Sequence, residues 1–127
     1  MDKVIHFEIP VDDFARAEKF YSEVFDWKIN RVSGFDYTLV NTAEVDEKMM
    51  PKEKGAINGG MLKRGQIKNI VITVNVQDVD NYLKKTVNAG GKIVINKFKA
   101  GDAGYSAYIQ DTEGNVLGVW QNLKKNI

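Results

Sequence analysis

The chain has 127 residues, an apolar fraction of 43% and a formal net charge of +1, which suits one compact domain with a real hydrophobic core. Acidic and basic residues are interspersed, so no field of one sign would attract nucleic acid or a membrane surface. The absence of cysteine excludes disulfides, thiolate metal sites and a cysteine nucleophile.

The N-terminus lacks a basic segment followed by an apolar one, and no apolar run is long enough to span a bilayer. We therefore expect a cytoplasmic protein that binds neither nucleic acid nor a membrane.

Residues 4–11 alternate between apolar and more polar side chains, which is typical of a strand. His6, the only histidine of the chain, shares one face of this strand with Glu8. The other face is more apolar and should pack on a helix; it carries Ile5, Phe7 and Ile9.

Asp12 or Asp13 is the expected N-cap of a helix that runs to about Phe25. Apolar residues at helical spacing predict its buried stripe: Phe14, Ala17, Phe20, Tyr21 and Val24. Strands are then predicted over residues 27–32, 35–40 and 56–62, with a long, charged, exposed loop over residues 42–55.

The second half of the chain repeats this order. A strand over residues 70–76 leads to Asp78, which should cap a helix, and Gly90-Gly91 should end it because glycine readily turns left-handed. The predicted buried stripe of this helix is Val79, Tyr82, Leu83 and Val87. Three more strands are predicted over residues 93–95, 105–110 and 116–121.

The two halves can be aligned as an internal repeat. Val11-Asp12-Asp13 matches Val76-Gln77-Asp78, and Gly55-Ala56-Ile57-Asn58-Gly59 matches Gly114-Asn115-Val116-Leu117-Gly118. We predict a single domain over residues 1–127, with module one at about 1–62 and module two at about 69–122. Pairing two such modules would leave a concave groove that suits a small ligand.

With this repeat, the chain resembles the vicinal oxygen chelate superfamily, which includes lactoylglutathione lyase (glyoxalase), bleomycin-resistance proteins and extradiol dioxygenases. The resemblance rests on Ile5-His6-Phe7, Val11-Asp12-Asp13, Ala17 with Phe20-Tyr21 before Phe25, Gly90-Gly91, and Asp111-Thr112-Glu113-Gly114-Asn115 before Gly118-Val119-Trp120-Gln121. It implies an α+β fold in which two βαβββ modules pair into an open, cupped eight-stranded β-sheet.

Metal-binding members of this superfamily place ligands on the first and last strands of each module. The matching positions here are His6, Gly59 (or Gly60 if the register shifts by one), Val71 and Gly118. Since only the histidine has a donor atom, we expect no functional metal centre and no cofactor. The metal-dependent glyoxalase and dioxygenase activities are then not expected either.

His6 has two interpretations. It is either a half-buried histidine with a local hydrogen bond, or a general base in a metal-free cleft that Glu8 or a tyrosine orients. Strand parity predicts that further side chains share the groove. The predicted ligand contacts are His6, Glu8, Thr38, Thr73, Asn75, Tyr108 and Trp120.

Three functions are compatible with the sequence. The first is binding of an unknown small molecule in the groove without a metal, as the resemblance to bleomycin-resistance proteins implies. The second is an isomerase or lyase, metal-independent or metal-dependent, that uses His6 for proton transfer. The third is a homodimeric interaction module.

Overall fold

The computed structural model describes residues 1–123. Within them, the order strand, helix, three strands occurs twice, so the predicted α+β class with two βαβββ modules is confirmed. The elements are β1 (Lys3–Val11), α1 (Phe14–Phe25), β2 (Lys28–Arg31), β3 (Tyr37–Asn41), β4 (Gly59–Lys63), β5 (Val71–Asn75), α2 (Val79–Asn88), β6 (Lys92–Ala100), β7 (Gly104–Gln110) and β8 (Val116–Asn122).

The chain divides into two compact units, of which the first comprises residues 6–70. Its strands lie in the order β2-β3-β4-β1; β1 and β4 are parallel and the other pairs antiparallel. Helix α1 packs on one face of this sheet over a core of Ile9, Val11, Val40 and Met61, with Phe7, Phe14, Ala17, Tyr21, Trp27 and Ile29 around it.

The second unit comprises residues 1–5 together with the chain from Val71 onward. Its strands lie in the order β5-β8-β7-β6, with β5 and β8 parallel and the other pairs antiparallel. Helix α2 packs on one face of this sheet; the core residues are Val76, Val79, Leu83, Ala107 and Val119.

Both helices begin and end as their sequences predict. The Asp13 carboxylate accepts a hydrogen bond from the Arg16 backbone N–H at 3.0 Å, and Asp78 accepts one from the Asn81 N–H at 3.3 Å. These bonds satisfy backbone donors that a helix start otherwise leaves unpaired. Gly90, which follows α2, has a left-handed φ of 96°.

Part of each predicted helix stripe is wrong. Phe20 and Val24 on α1 are 55% and 54% exposed, and Val87 on α2 is 53% exposed. On α1, Tyr21 stacks on Trp27 with ring centroids 5.2 Å apart. This ring pair packs against the core, and Phe20 lies on its outer side, edge-on to Tyr21 with ring centroids 5.2 Å apart.

Strand β6 is longer than predicted. It extends from Lys92 to Ala100 rather than over residues 93–95. Its pairing with β7 shifts register twice, between Ile93 and Ile95 and between Ile95 and Phe98. Such bulges interrupt the two-residue alternation on which a strand prediction relies.

Within residues 1–123, neither helix has the length and apolar content that a membrane crossing requires.

Candidate functional site

In the first unit, the sheet face that carries His6 lies opposite helix α1. Strand register fixes its members, because directly paired residues point to the same side of a sheet. Gly60 pairs with Glu8 on β1 and with Leu39 on β3. Alternation along the two strands then adds His6 and Tyr37. We call these five residues the His6 face.

His6 and Tyr37 are directly hydrogen-bonded. The distance from His6 Nε2 to Tyr37 Oη is 2.8 Å, which is within the range of a well-formed bond. Burial lowers the pKa of His6 below its ordinary value, and the negative charge of Glu8 opposes this shift. The imidazole is therefore neutral at pH 7. The pair offers a ligand hydrogen bonds but no positive charge.

The ring of Tyr37 lies over the backbone of Gly60. A Cβ atom at this glycine would lie far inside van der Waals contact with Tyr37 Oη and Cζ, and 2.5 Å from Cε1. The φ of Gly60 is outside the left-handed region that favours glycine. Glycine at this position therefore makes room for the phenol and serves no unusual backbone conformation.

The predicted match of Gly59 with Gly118 is wrong by one residue. Gly118 pairs with Thr73 on β5, and the corresponding partner of Glu8 on β1 is Gly60. Gly59 points to the face that packs on α1. The alternative register, in which Gly60 takes the ligand position, is the one that the strands adopt.

The residues at the four superfamily ligand positions do not fit a divalent cation. Gly60, Val71 and Gly118 have no donor atom. His6 has two ring nitrogens, of which Nε2 is already bonded to Tyr37. A stable site needs several nitrogen, oxygen or sulfur donors in fixed geometry. Across residues 1–123, no three His, Cys, Asp or Glu side chains come together.

Thr38 does not share the His6 face, contrary to the prediction. It pairs with Met61 of the α1-side core. Its hydroxyl donates to the carboxylate of Glu18 on α1 at 3.4 Å, and the residue is 1% exposed. The sequence assigns it wrongly because both faces of β3 carry apolar residues, so alternation alone cannot tell the inner face from the outer one.

The second unit presents four of the predicted contacts on one face. Thr73 and Tyr108 both pair with Gly118, and Asn75 pairs with Trp120. The core that packs on α2 lies on the opposite face, so the predicted strand parity of these four residues is confirmed. We call the five residues named here the Thr73 face. Their contact with a ligand stays a prediction.

An aromatic neighbour of this face is not predicted by the sequence pattern. Phe98 stacks on Tyr108 with ring centroids 6.3 Å apart and an interplanar angle of 15°. It pairs with Ser106 across the strands, which places it on the same side as Tyr108. The strand predicted over residues 93–95 ends before Phe98, so the predicted face does not include it.

A cleft of about 650 Å³ opens beside Asn75 in the second unit. The residues that line it include Asp2, Lys3, Asn75, Asp78, Gln121 and Asn122. Within residues 1–123, the buried Oδ1 of Asn75 has no hydrogen-bond partner. Gln121 Oε1, in contrast, accepts a bond from the Val79 backbone N–H at 2.8 Å. The cleft therefore has a polar lining.

Comparison with known proteins agrees with this architecture. Residues 3–43 match the family model described as "Bleomycin resistance protein-like N-terminal". Two curated proteins named "Putative glyoxylase CFP32", from Mycobacterium bovis and Mycobacterium tuberculosis, are 32% identical over 120 residues, which is 90% of this chain. The match covers 43% of each relative, so the chain spans less than half of their length.

Solved structures share the fold at low sequence identity. A glyoxalase/bleomycin resistance protein/dioxygenase superfamily member from Vibrio splendidus is 9% identical, with a TM-score of 0.61 over 97% of this chain and 100% of that one. Methylmalonyl-CoA epimerase from Mycobacterium tuberculosis is 11% identical, with a TM-score of 0.60 over 95% of this chain and 88% of that one. These likenesses establish the glyoxalase-like fold.

The repeated βαβββ modules, the matched N-terminal family model and the shared fold lead to one assignment. Together they support membership of the vicinal oxygen chelate superfamily, which comprises the glyoxalases, bleomycin-resistance proteins and extradiol dioxygenases.

Proposed function

We propose that the chain binds a small organic molecule without a resident metal ion, and that the His6 face supplies one set of contacts. The observation that carries this proposal is the bond from His6 Nε2 to Tyr37 Oη. Among the four superfamily ligand positions only His6 has side-chain donor atoms, and this bond engages one of its two ring nitrogens in a contact within the protein.

The chemistry of the His6 face indicates the class of ligand. Its histidine is neutral at pH 7 and hydrogen-bonded to a phenol, while Glu8 beside it is buried. Leu39 adds apolar surface. No positive charge on this face would balance a carboxylate or phosphate. A neutral, partly apolar molecule with a hydrogen-bonding group suits these contacts.

Mass spectrometry of small molecules that co-purify with the full chain tests the proposal. We expect one organic molecule in stoichiometric amount after gentle purification, and its loss after denaturation and dialysis. His6→Ala should lower the retained fraction. Thr38→Val is the matched control, because Thr38 faces α1 and should leave retention unchanged. Equal retention in His6→Ala and the wild type would remove His6 from the binding site.

A metal-independent isomerase or lyase is the second candidate. The lowered pKa of His6 supports it, because a neutral imidazole at pH 7 can accept a proton from a substrate. The co-purified molecule, incubated with the protein in D₂O, would then exchange a C–H hydrogen for deuterium. His6→Ala should abolish this exchange. Binding without exchange would leave only the non-enzymatic function.

Pairing of two copies of the chain is the third candidate. On α1, the exposed side chains of Phe20, Val24 and Phe25 form an apolar patch of the kind that marks interfaces. Analytical ultracentrifugation should detect a dimer that Phe20→Ser weakens. Val87→Ser, a similarly exposed change on α2, should leave it intact, and a monomeric wild type would exclude this function.

A further inference from the structure

We propose that Tyr37 stands where a metal-binding relative would have its last-strand carboxylate, and that its phenol closes Nε2 of His6 to divalent cations. The inference rests on the proposed metal-free function and names the residue that enforces it. Two features of the His6 face carry it: the fit of the phenol over Gly60 and the state of His6 Nε2.

The first feature is the space above Gly60. This glycine occupies the strand position at which the superfamily resemblance implies a carboxylate ligand, and it pairs directly with Glu8 on β1. The space that a side chain would need is filled by Tyr37 Oη, Cζ and Cε1. A glutamate at this position and the observed ring position of Tyr37 are therefore mutually exclusive.

The second feature is the chemistry of the bond at His6 Nε2. In one tautomer the Tyr37 hydroxyl donates to Nε2, and that bond uses the lone pair that a cation would need. In the other tautomer Nε2 carries the proton and donates to Oη, so it has no lone pair to offer. The 2.8 Å contact thus closes Nε2 to a metal in either case.

The second unit shows what the same strand positions look like without such a tyrosine. In the first unit, Tyr37 pairs with Leu62, which is two residues after Gly60. In the second unit, Ser106 pairs with Trp120, which is two residues after Gly118. Ser106 therefore occupies the position of Tyr37. Val71 occupies the position of His6. The second unit thus has neither a histidine at the position of His6 nor a tyrosine at the position of Tyr37, which supports a specific role for the tyrosine.

The experiment titrates Co²⁺ into the 127-residue protein labelled with ¹⁵N and follows the imidazole resonances. His6 is the only histidine, so the signals need no assignment. Tyr37→Ala removes both the hydroxyl and the ring. Tyr37→Phe removes only the hydroxyl and preserves packing if the alanine variant folds poorly. Leu39→Ala is the matched control, because it opens space beside Gly60 but leaves the phenol in place.

We expect Co²⁺ to leave the His6 signals of the wild type and of Leu39→Ala unchanged. In Tyr37→Ala the signals should broaden, with an affinity for Co²⁺ at least about tenfold higher, the change expected when a hydrogen bond of ordinary net strength no longer competes for the ring. Tyr37→Phe should lie between the two and should change the ¹⁵N shifts that report the tautomer.

The possible failures are distinguishable. If Co²⁺ does not reach His6 in either tyrosine variant, the role of Tyr37 is refuted while the metal-free function stands. If wild-type His6 binds Co²⁺ as tightly as Tyr37→Ala does, both proposals fail. If Leu39→Ala binds as Tyr37→Ala does, general loosening of the face explains access and the specific role of the phenol is lost.

Discussion

The two modules carry a glycine at the same strand position, but they fill the space beside it differently. In the first module the Tyr37 phenol crosses over Gly60 from β3 and bonds to His6. In the second, the nearest atom to a Cβ at Gly118 would be Oγ1 of Thr73 at 2.8 Å, with Cγ2 at 3.4 Å. The same duplicated position is thus closed by a rigid ring in one module and only narrowed by a small hydroxyl in the other.

Replacement of Gly60 by alanine should be the most damaging single change. The new methyl group would overlap three atoms of the Tyr37 side chain, and the ring cannot turn away without breaking its bond to His6. We expect a loss of about 2–3 kcal/mol in the free energy of unfolding, the upper range for overpacking, measured by urea denaturation. In a Tyr37→Ala background the same change should cost less than about 1 kcal/mol, since the clash is gone. Equal costs in both backgrounds would show that the phenol is not what requires glycine.

Gly118→Ala should cost about 1 kcal/mol, because only the Thr73 hydroxyl comes closer than ordinary contact and a rotamer change can relieve it. The same urea experiment measures it. Thr73→Ala should restore most of the loss, since it removes the hydroxyl. If Gly118→Ala proves as costly as Gly60→Ala, the contrast between a rigid and an adaptable neighbour is wrong.

The pH dependence of stability should differ between the modules, since only the first has a histidine. His6 is held neutral in the folded state, with its pKa below the ordinary value because of burial. Its contribution is therefore present above the unfolded pKa, about 6.5, and is lost as the pH falls through the folded pKa. Glu8 and Tyr37 face the same ring. We compare the urea midpoint of the wild type with that of His6→Gln. The difference between the two midpoints should shrink as the pH is lowered from about 7.5 to 5. A difference that stays constant would mean that the histidine is not held neutral by folding.

The sequence predicts the fold well because its signals are local. Asp13 and Asp78 are N-cap residues that predict where the two helices begin, and the internal repeat predicts the order of the elements. It also predicts the shared face of Thr73, Asn75 and Tyr108, whose strands alternate cleanly between polar and apolar residues.

The key contact of the site could not be predicted in the same way. Tyr37 meets His6 across strands that are far apart in sequence, and β3 has apolar residues on both faces, so alternation assigns Tyr37 to the helix side and Thr38 to the ligand side. Register, which decides between them, is a tertiary property: a one-residue shift moves every side chain to the other face. Phe98 escapes prediction for a different reason, because the strand predicted over residues 93–95 ends before it whereas β6 extends to Ala100.

Thr38→Val tests the corrected face assignment with the smallest expected effect. The hydroxyl of Thr38 makes a long 3.4 Å bond to Glu18, and Arg31 contacts the same carboxylate oxygen, so its loss should cost only about 0.5 kcal/mol. Since valine has nearly the shape of threonine, the α1 core should stay packed. The His6 ¹⁵N shifts should not change, because Thr38 points away from the His6 face.

Tyr37→Phe removes one hydroxyl from the adjacent residue and should move those shifts clearly. If the two variants perturb His6 equally, the hydroxyl of Tyr37 has no special relation to the histidine and the contrast between the two modules loses its chemical basis.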